Sequence, residues 1–177
     1  MKKYLYVFFA FFSCVGLSQA ADKMGTRYMG VDYSMFTYDE TGFPEAEPSA
    51  LRLKAGYFFT DNVAVEGQLG FGIEDDTITS GIPITLELDN FISVLLRGQI
   101  PLANTFNIYG VVGMTRADLT ASSGAIAISD ADTSVSFGVG ADFEVSDDMY
   151  LNVDYMSYLD ETAYDLTAFS VGLRFNF

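Results

Sequence analysis

Apolar and polar residues alternate with a period of two along most of the chain beyond residue 28. From Thr133 to Val145, Val135, Phe137, Val139, Ala141 and Phe143 fall on one face. Ser134, Ser136, Gly138, Gly140 and Asp142 fall on the other. Successive side chains of a strand point to opposite faces, so this alternation reads as β-strand. Val63 to Ile73 and Leu166 to Phe177 repeat the pattern, as do the shorter runs around Val31, Leu53 and Val153. Two further segments, Leu86 to Ile100 and Phe106 to Ala117, follow it with one intruder each, Leu95 and Val111. The reading is therefore all-β with eight strands. No later segment has the roughly 18 consecutive apolar residues of a membrane helix.

The links between these strands alternate in length. Thr60-Asp61-Asn62, Pro101 to Thr105 and Ser146-Asp147-Asp148 are tight and rich in turn residues. Asp39 to Ser49, Glu74 to Pro83, Asp118 to Asp132 and Leu159 to Asp165 are long, and are expected to be loops. Short turns at one end and long loops at the other mark an antiparallel up-and-down transmembrane β-barrel with the short side periplasmic.

The second face places the apolar one. It holds Gly, Ser, Ala and a few charges, and so much glycine weakens a water-exposed strand without return. Inside an eight-stranded barrel, where side chains only just fit, small residues are expected. The charges on that face balance: Arg52, Lys54, Arg97 and Arg174 against Asp32, Glu66, Asp142 and Asp154. Buried charges require partners, so these eight are expected to form a lumen network. The apolar face then meets lipid, and the barrel must close because hydrocarbon cannot satisfy a free strand edge. Phe59, Phe106, Phe143, Phe175 and Phe177 lie toward the short-turn ends, and Tyr33, Phe71, Tyr155 and Phe169 toward the long links. They are expected to form two interfacial aromatic girdles. The alternative is the aromatic core of a soluble β fold.

The amino-terminal end agrees with export. Lys2 and Lys3 precede an uncharged apolar run from Tyr4 to Val15, and Ser18-Gln19-Ala20 offers small residues for cleavage. Residues 1–20 read as a secretory signal peptide and 21–177 as one barrel domain. The run is short of the roughly 20 residues of a membrane span, and the residues before Cys14 match a lipidation site poorly. Cys14 is the only cysteine, so the mature chain has no disulfide.

The final strand carries Ser170-x-Gly172-x-x-Phe175-x-Phe177. It resembles the carboxy-terminal assembly signal of outer-membrane barrels, which implies recognition by the barrel-assembly machinery. Phe106-Asn107-Ile108-Tyr109-Gly110, Gly113-Met114 and Arg116-Ala117-Asp118 resemble the fifth strand of the outer-membrane protein A type transmembrane domain. The resemblance implies a Gram-negative outer-membrane location. Two-domain members add a peptidoglycan-binding domain; this sequence stops at the barrel, so peptidoglycan anchoring is not carried over.

Composition narrows the chemistry. With 24 acidic residues against 9 basic ones, nucleic acid is excluded as a partner. The chain has no histidine, which removes Ser-His and Asp-His catalysis. No enzyme activity and no cofactor are expected. Gly70-Phe-Gly72 and Gly138-Val-Gly140 open no helix, so neither is a dinucleotide loop. The four long links hold thirteen acids (Asp39, Glu40, Glu45, Glu47, Glu74, Asp75, Asp76, Asp118, Asp130, Asp132, Asp160, Glu161 and Asp165) and no Lys or Arg. A solvated repelling surface is the simpler reading. Weak divalent-cation binding that bridges to lipopolysaccharide is the sharper one, although no EF-hand spacing is present. Arg27 and Arg116 point outward by parity and can snorkel to lipid phosphates or face solvent. Three functions remain: a structural or surface-interaction protein, a narrow porin-like channel, and a secreted soluble barrel for a small apolar ligand.

Overall fold

The computed structural model describes residues 23–40, 45–80, 82–123, 126–160 and 164–177. Residues 1–20 and the proposed cleavage site lie outside them. The described residues form nine strands: β1 (Arg27–Glu40), β2 (Ser49–Phe58), β3 (Val63–Glu74), β4 (Asp76–Ser80), β5 (Ile82–Ala103), β6 (Phe106–Ser123), β7 (Ile126–Ser146), β8 (Met149–Asp160) and β9 (Tyr164–Asn176). All neighbouring pairs are antiparallel. Eight strands close the barrel: β1 pairs β9 from Tyr28↔Asn176 to Glu40↔Tyr164, and β3 pairs β5 from Val63↔Gly98 to Phe71↔Asn90. The fold is an eight-stranded antiparallel up-and-down barrel, with β4 pairing only β5.

Two of the expected loops are strands. The link Glu74 to Pro83 contains β4, which pairs β5 from Asp76↔Leu86 to Ser80↔Ile82. The link Asp118 to Asp132 is a hairpin in which β6 and β7 stay paired to Ser123↔Ile126. Its Thr and Ile favour strand. Both of its faces leave the membrane, so polar residues interrupt the alternation that marks the spanning part. β5, β6 and β7 consequently run to 22, 18 and 21 residues, against 10 for β2 and 12 for β3. A membrane-spanning strand needs only about 9–11 residues, so these three overrun the bilayer.

At the other end the turns are tight for local reasons. The Thr60 hydroxyl accepts hydrogen bonds from the N–H groups of Asn62 and Val63, which closes the β2–β3 turn. Asp148, at φ 62°, takes the left-handed position of the β7–β8 turn.

Alternation holds through the two segments with intruders. Phe91, Ser93, Leu95, Arg97 and Gln99 are all buried, whereas Ile92, Val94 and Leu96 are exposed on the outer wall. Val111 likewise lies inside with Tyr109 and Thr115. Leu95 and Val111 are therefore ordinary lumen residues. The lumen face is more apolar than the sequence suggested, because its outer end is closed by a cluster of Phe36, Leu88, Phe91, Tyr158, Leu159 and Leu166. Phe36, Phe91 and Tyr158 meet at ring-centroid distances of 4.9–5.6 Å. Tyr28, Phe58 and Ala64 form a second cluster at the short-turn end.

Candidate functional site

Strand parity turns Asp32, Arg52, Lys54, Glu66, Arg97, Asp142, Asp154 and Arg174 into the lumen, where each is 5% exposed or less. Arg52 is held from two sides. Its Nε donates to Asp32 Oδ2 at 2.8 Å, and Nη1 and Nη2 donate to the two Asp154 oxygens at 3.1 and 2.5 Å. Its Nη1 also reaches the Tyr158 hydroxyl at 2.8 Å. Lys54 Nζ donates to Asp32 Oδ1 at 2.9 Å and to Asn152 Oδ1 at 2.5 Å. These bidentate, charge-assisted contacts are the strong kind.

The second group lies toward the short turns. Asp142 accepts from Arg97 Nη2, lies 3.0 Å from Arg174 Nη2 and accepts from Asn152 Nδ2 at 2.7 Å. Glu66 lies 3.5 Å from Arg97 Nη1 and accepts from the Tyr28 hydroxyl and Gln68 Nε2 at 2.5 and 2.7 Å. Arg174 Nη1 also donates to Asn176 Oδ1 at 2.7 Å, and tyrosine rings face both guanidiniums. Arg97 Cζ is 3.5 Å from the Tyr109 ring centroid, and Arg174 Cζ is 4.3 Å from that of Tyr150. Asn152 and Tyr109 join the two groups, since Asn152 donates to Tyr109, which donates to Asp154.

Lys23 closes the short-turn mouth, with Nζ 5.7 Å from the Tyr150 ring and 6.0 Å from the Phe58 ring. Burial, reinforced by the neighbouring Arg174 charge, lowers its ammonium to about 8.

Sequence reasoning named the eight charges but missed the tyrosines that help to satisfy them. Counting parity onward from Asp32 through Ser34 reaches Phe36, and from Asp154 it reaches Met156 and Tyr158, so the signal was present.

The outer rim is a four-stranded sheet. β4, β5, β6 and β7 continue past the point where β7 parts from β8, at Phe137↔Ser157. From Ile126 to Ser136, β7 pairs only with β6 among the described residues. Ile126 and Ile128 on this stretch are each 69% exposed. Arg116, the one cation at this end among the described residues, lies 3.7 Å from Asp118 and is exposed. Among the described residues no acidic group is clustered for a metal ion.

The aromatics expected as girdles face outward. Phe59, Phe71, Phe143, Tyr155, Phe169, Tyr33, Phe175 and Phe177 are exposed, and Phe106 stacks on Phe143 at 4.7 Å. Phe175 and Phe177 share the outward face of β9, while Ser170 is buried beside Ser34, their hydroxyls 2.9 Å apart. A Cβ on Gly172 would fall 2.1 Å from Asp32 Oδ1.

The sequence matches the model of the outer membrane protein beta-barrel domain over residues 7–177. The chain belongs to the outer membrane β-barrel family. Solved structures agree in fold. Ail, the attachment invasion locus protein of Yersinia pestis, aligns with a TM-score of 0.66 at 18% identity over 87% of this chain and 99% of Ail. Neisserial surface protein A gives 0.69 at 14% identity over 86% and 99%. OprG of Pseudomonas aeruginosa gives 0.63 at 12% identity over 90% and 99%. No curated protein matches the sequence. An outer-membrane location displaces the soluble ligand-binding alternative, and the lipid-facing wall meets the membrane's acyl chains.

Proposed function

We propose that this outer-membrane barrel is a surface-interaction protein whose working part is the protruding four-stranded sheet, with the barrel as its rigid base. One observation carries the reading: beyond the bilayer, β7 presents the edge Ile126–Asp132, which has no strand on its other side among the described residues. Such an edge offers unpaired N–H and C=O groups to an incoming strand. Acids crowd this end, with Asp130 and Asp132 on the edge strand itself and Asp118 across from it, so the fitting partner is an extended cationic segment. A structure of Ail is described in complex with the heparin analogue sucrose octasulfate. A polyanion is the wrong partner for the present rim, whose long links contain no Lys or Arg.

The filled lumen favours this reading over a narrow channel, because arginines, tyrosines and two apolar caps occupy the path. It also favours a non-enzymatic role, since each lumen carboxylate is engaged by a cation. Outward aromatics serve as interfacial girdles, and Ser170, Gly172, Phe175 and Phe177 serve as the signal read by the assembly machinery. Lipopolysaccharide is the lipid next to the outer rim, with divalent cations as weak bridges to the rim acids.

The test is binding of a synthetic peptide of alternating Lys and Val to the barrel in lipid nanodiscs, at low and high salt. Binding should weaken with salt and fall when residues 120–129, which include Ile126–Ser129 of the edge, are deleted. Undiminished binding by the deletion variant would sink the proposal.

A further inference from the structure

A groove of about 600 Å³ crosses the outside of the barrel near the short turns, between Arg27 and Phe177 at one end and Val94 at the other. Its floor is one cross-strand row. Met29, Ala55, Gly67 and Val94 are successive partners on β1, β2, β3 and β5. The middle two are small, whereas Tyr57 and Val65 rise on one side and Leu53 and Leu69 on the other. Nothing in the packing demands the small size: a Cβ on Gly67 would meet no atom within 4 Å. An outward glycine in a strand interior loses stability, and here it leaves a trough.

Arg27 stands at the interfacial end of that trough. It is exposed, and its guanidinium makes no hydrogen bond or ion pair among the described residues. It is also the only cation on the outer wall of the short-turn half among those residues. Three strand spacings of about 4.8 Å make the trough roughly 14 Å long. With the strands tilted about 45° to the membrane normal, this cross-strand row rises about 10 Å, which lies within the roughly 15 Å that one leaflet's chains occupy.

We propose that this groove is a binding site for one glycerophospholipid of the periplasmic leaflet. Its phosphate pairs with Arg27, and one acyl chain lies over Ala55 and Gly67. Length, apolar walls and a single cation at the interfacial end match a molecule with one anionic phosphate and an apolar tail.

The test uses the mature barrel refolded in detergent, with native mass spectrometry in the presence of phosphatidylglycerol or of uncharged diacylglycerol with the same chains. The wild type should retain one phospholipid. Gly67→Phe, or Ala55→Leu should the first variant fold poorly, should lose both lipids. Arg27→Gln should lose phosphatidylglycerol by about tenfold and keep diacylglycerol unchanged. Val139→Phe, on another part of the wall, should change neither. Folding of each variant is read from its heat-dependent gel mobility. Equal adducts in all folded variants would mean unspecific annular lipid, and a dimer in place of the lipid adduct would mean that a second copy fills the groove; either result overturns the site.

Discussion

Inside the barrel, glycine and aromatic residues are complementary. A Cβ on Gly70 would fall 1.8 Å from the Phe91 ring, and one on Gly56 would fall 2.1 Å from the Tyr28 ring. Gly70→Ala should therefore destabilise by about 1–3 kcal/mol through overpacking. Gly67→Ala, facing open space, should be neutral or slightly stabilising; urea unfolding in lipid vesicles compares the two. Charges follow the same logic of partners. Asp142→Asn leaves Arg97 with Glu66 alone and Arg174 without a carboxylate, and an uncompensated buried charge costs about 3–5 kcal/mol. Arg116→Gln breaks only an exposed pair and should cost less than about 1 kcal/mol. Lys23 gives a pH signature. Its folded pKa of about 8 lies below the unfolded value of about 10.4. Between those values the unfolded chain binds more protons, so stability rises with pH across the window. The urea midpoint of the wild type relative to Lys23→Gln should rise from about pH 8 to about pH 10.4, and a flat difference would show that the mouth does not disfavour the ammonium. The eight lumen charges were legible because parity alone assigns them. Their pairings were not, since Arg52 meets Asp154 across 102 positions of sequence through a closure that no local pattern encodes.

Spanning strands and outer hairpins obey different rules, which is why only the first were legible. In β3 one face is lipid and the other lumen, so Val65, Leu69 and Phe71 alternate with Glu66, Gln68 and Gly70. In the outer part of β6 and β7 the contrast vanishes: Thr120 faces Ser129, with hydroxyls 2.8 Å apart, and Ile128 is exposed. Hydrogen-bonded pairing persists, but the hydrophobic period that marks it does not. The outer hairpin consequently adds length without supporting the barrel. Deleting residues 120–129 leaves the β7–β8 ladder, which begins at Phe137↔Ser157, and the β1–β9 seam untouched. Surface hairpins tolerate shortening, so this variant should refold with the wild-type heat-dependent gel shift. Loss of the shift would mean that the outer sheet is needed to close the barrel.

Over the whole molecule the charge is arranged along the barrel axis. The long links hold acids and no base, the lumen holds four cations against four anions, and the short-turn end sets Lys23 and Arg27 against Asp61, Glu144, Asp147 and Asp148. Such an arrangement would attract cations toward the outer mouth, which is what a cation pore would require, so the lumen's contents decide the matter. Two independent obstructions lie in series: the Phe36, Phe91 and Tyr158 cap, and the Arg97, Arg174 and Asp142 group with its tyrosines. An eight-stranded barrel has room for little beyond its own side chains. Removing one obstruction leaves the other, so Phe36→Ala should be as silent as the wild type in planar bilayers. Opening a path needs both layers breached, as in Phe36→Ala combined with Arg97→Ala, if that barrel still folds. Resolved current steps from the wild-type protein would show that the two layers move together, and the lumen would then have to be understood as a gate.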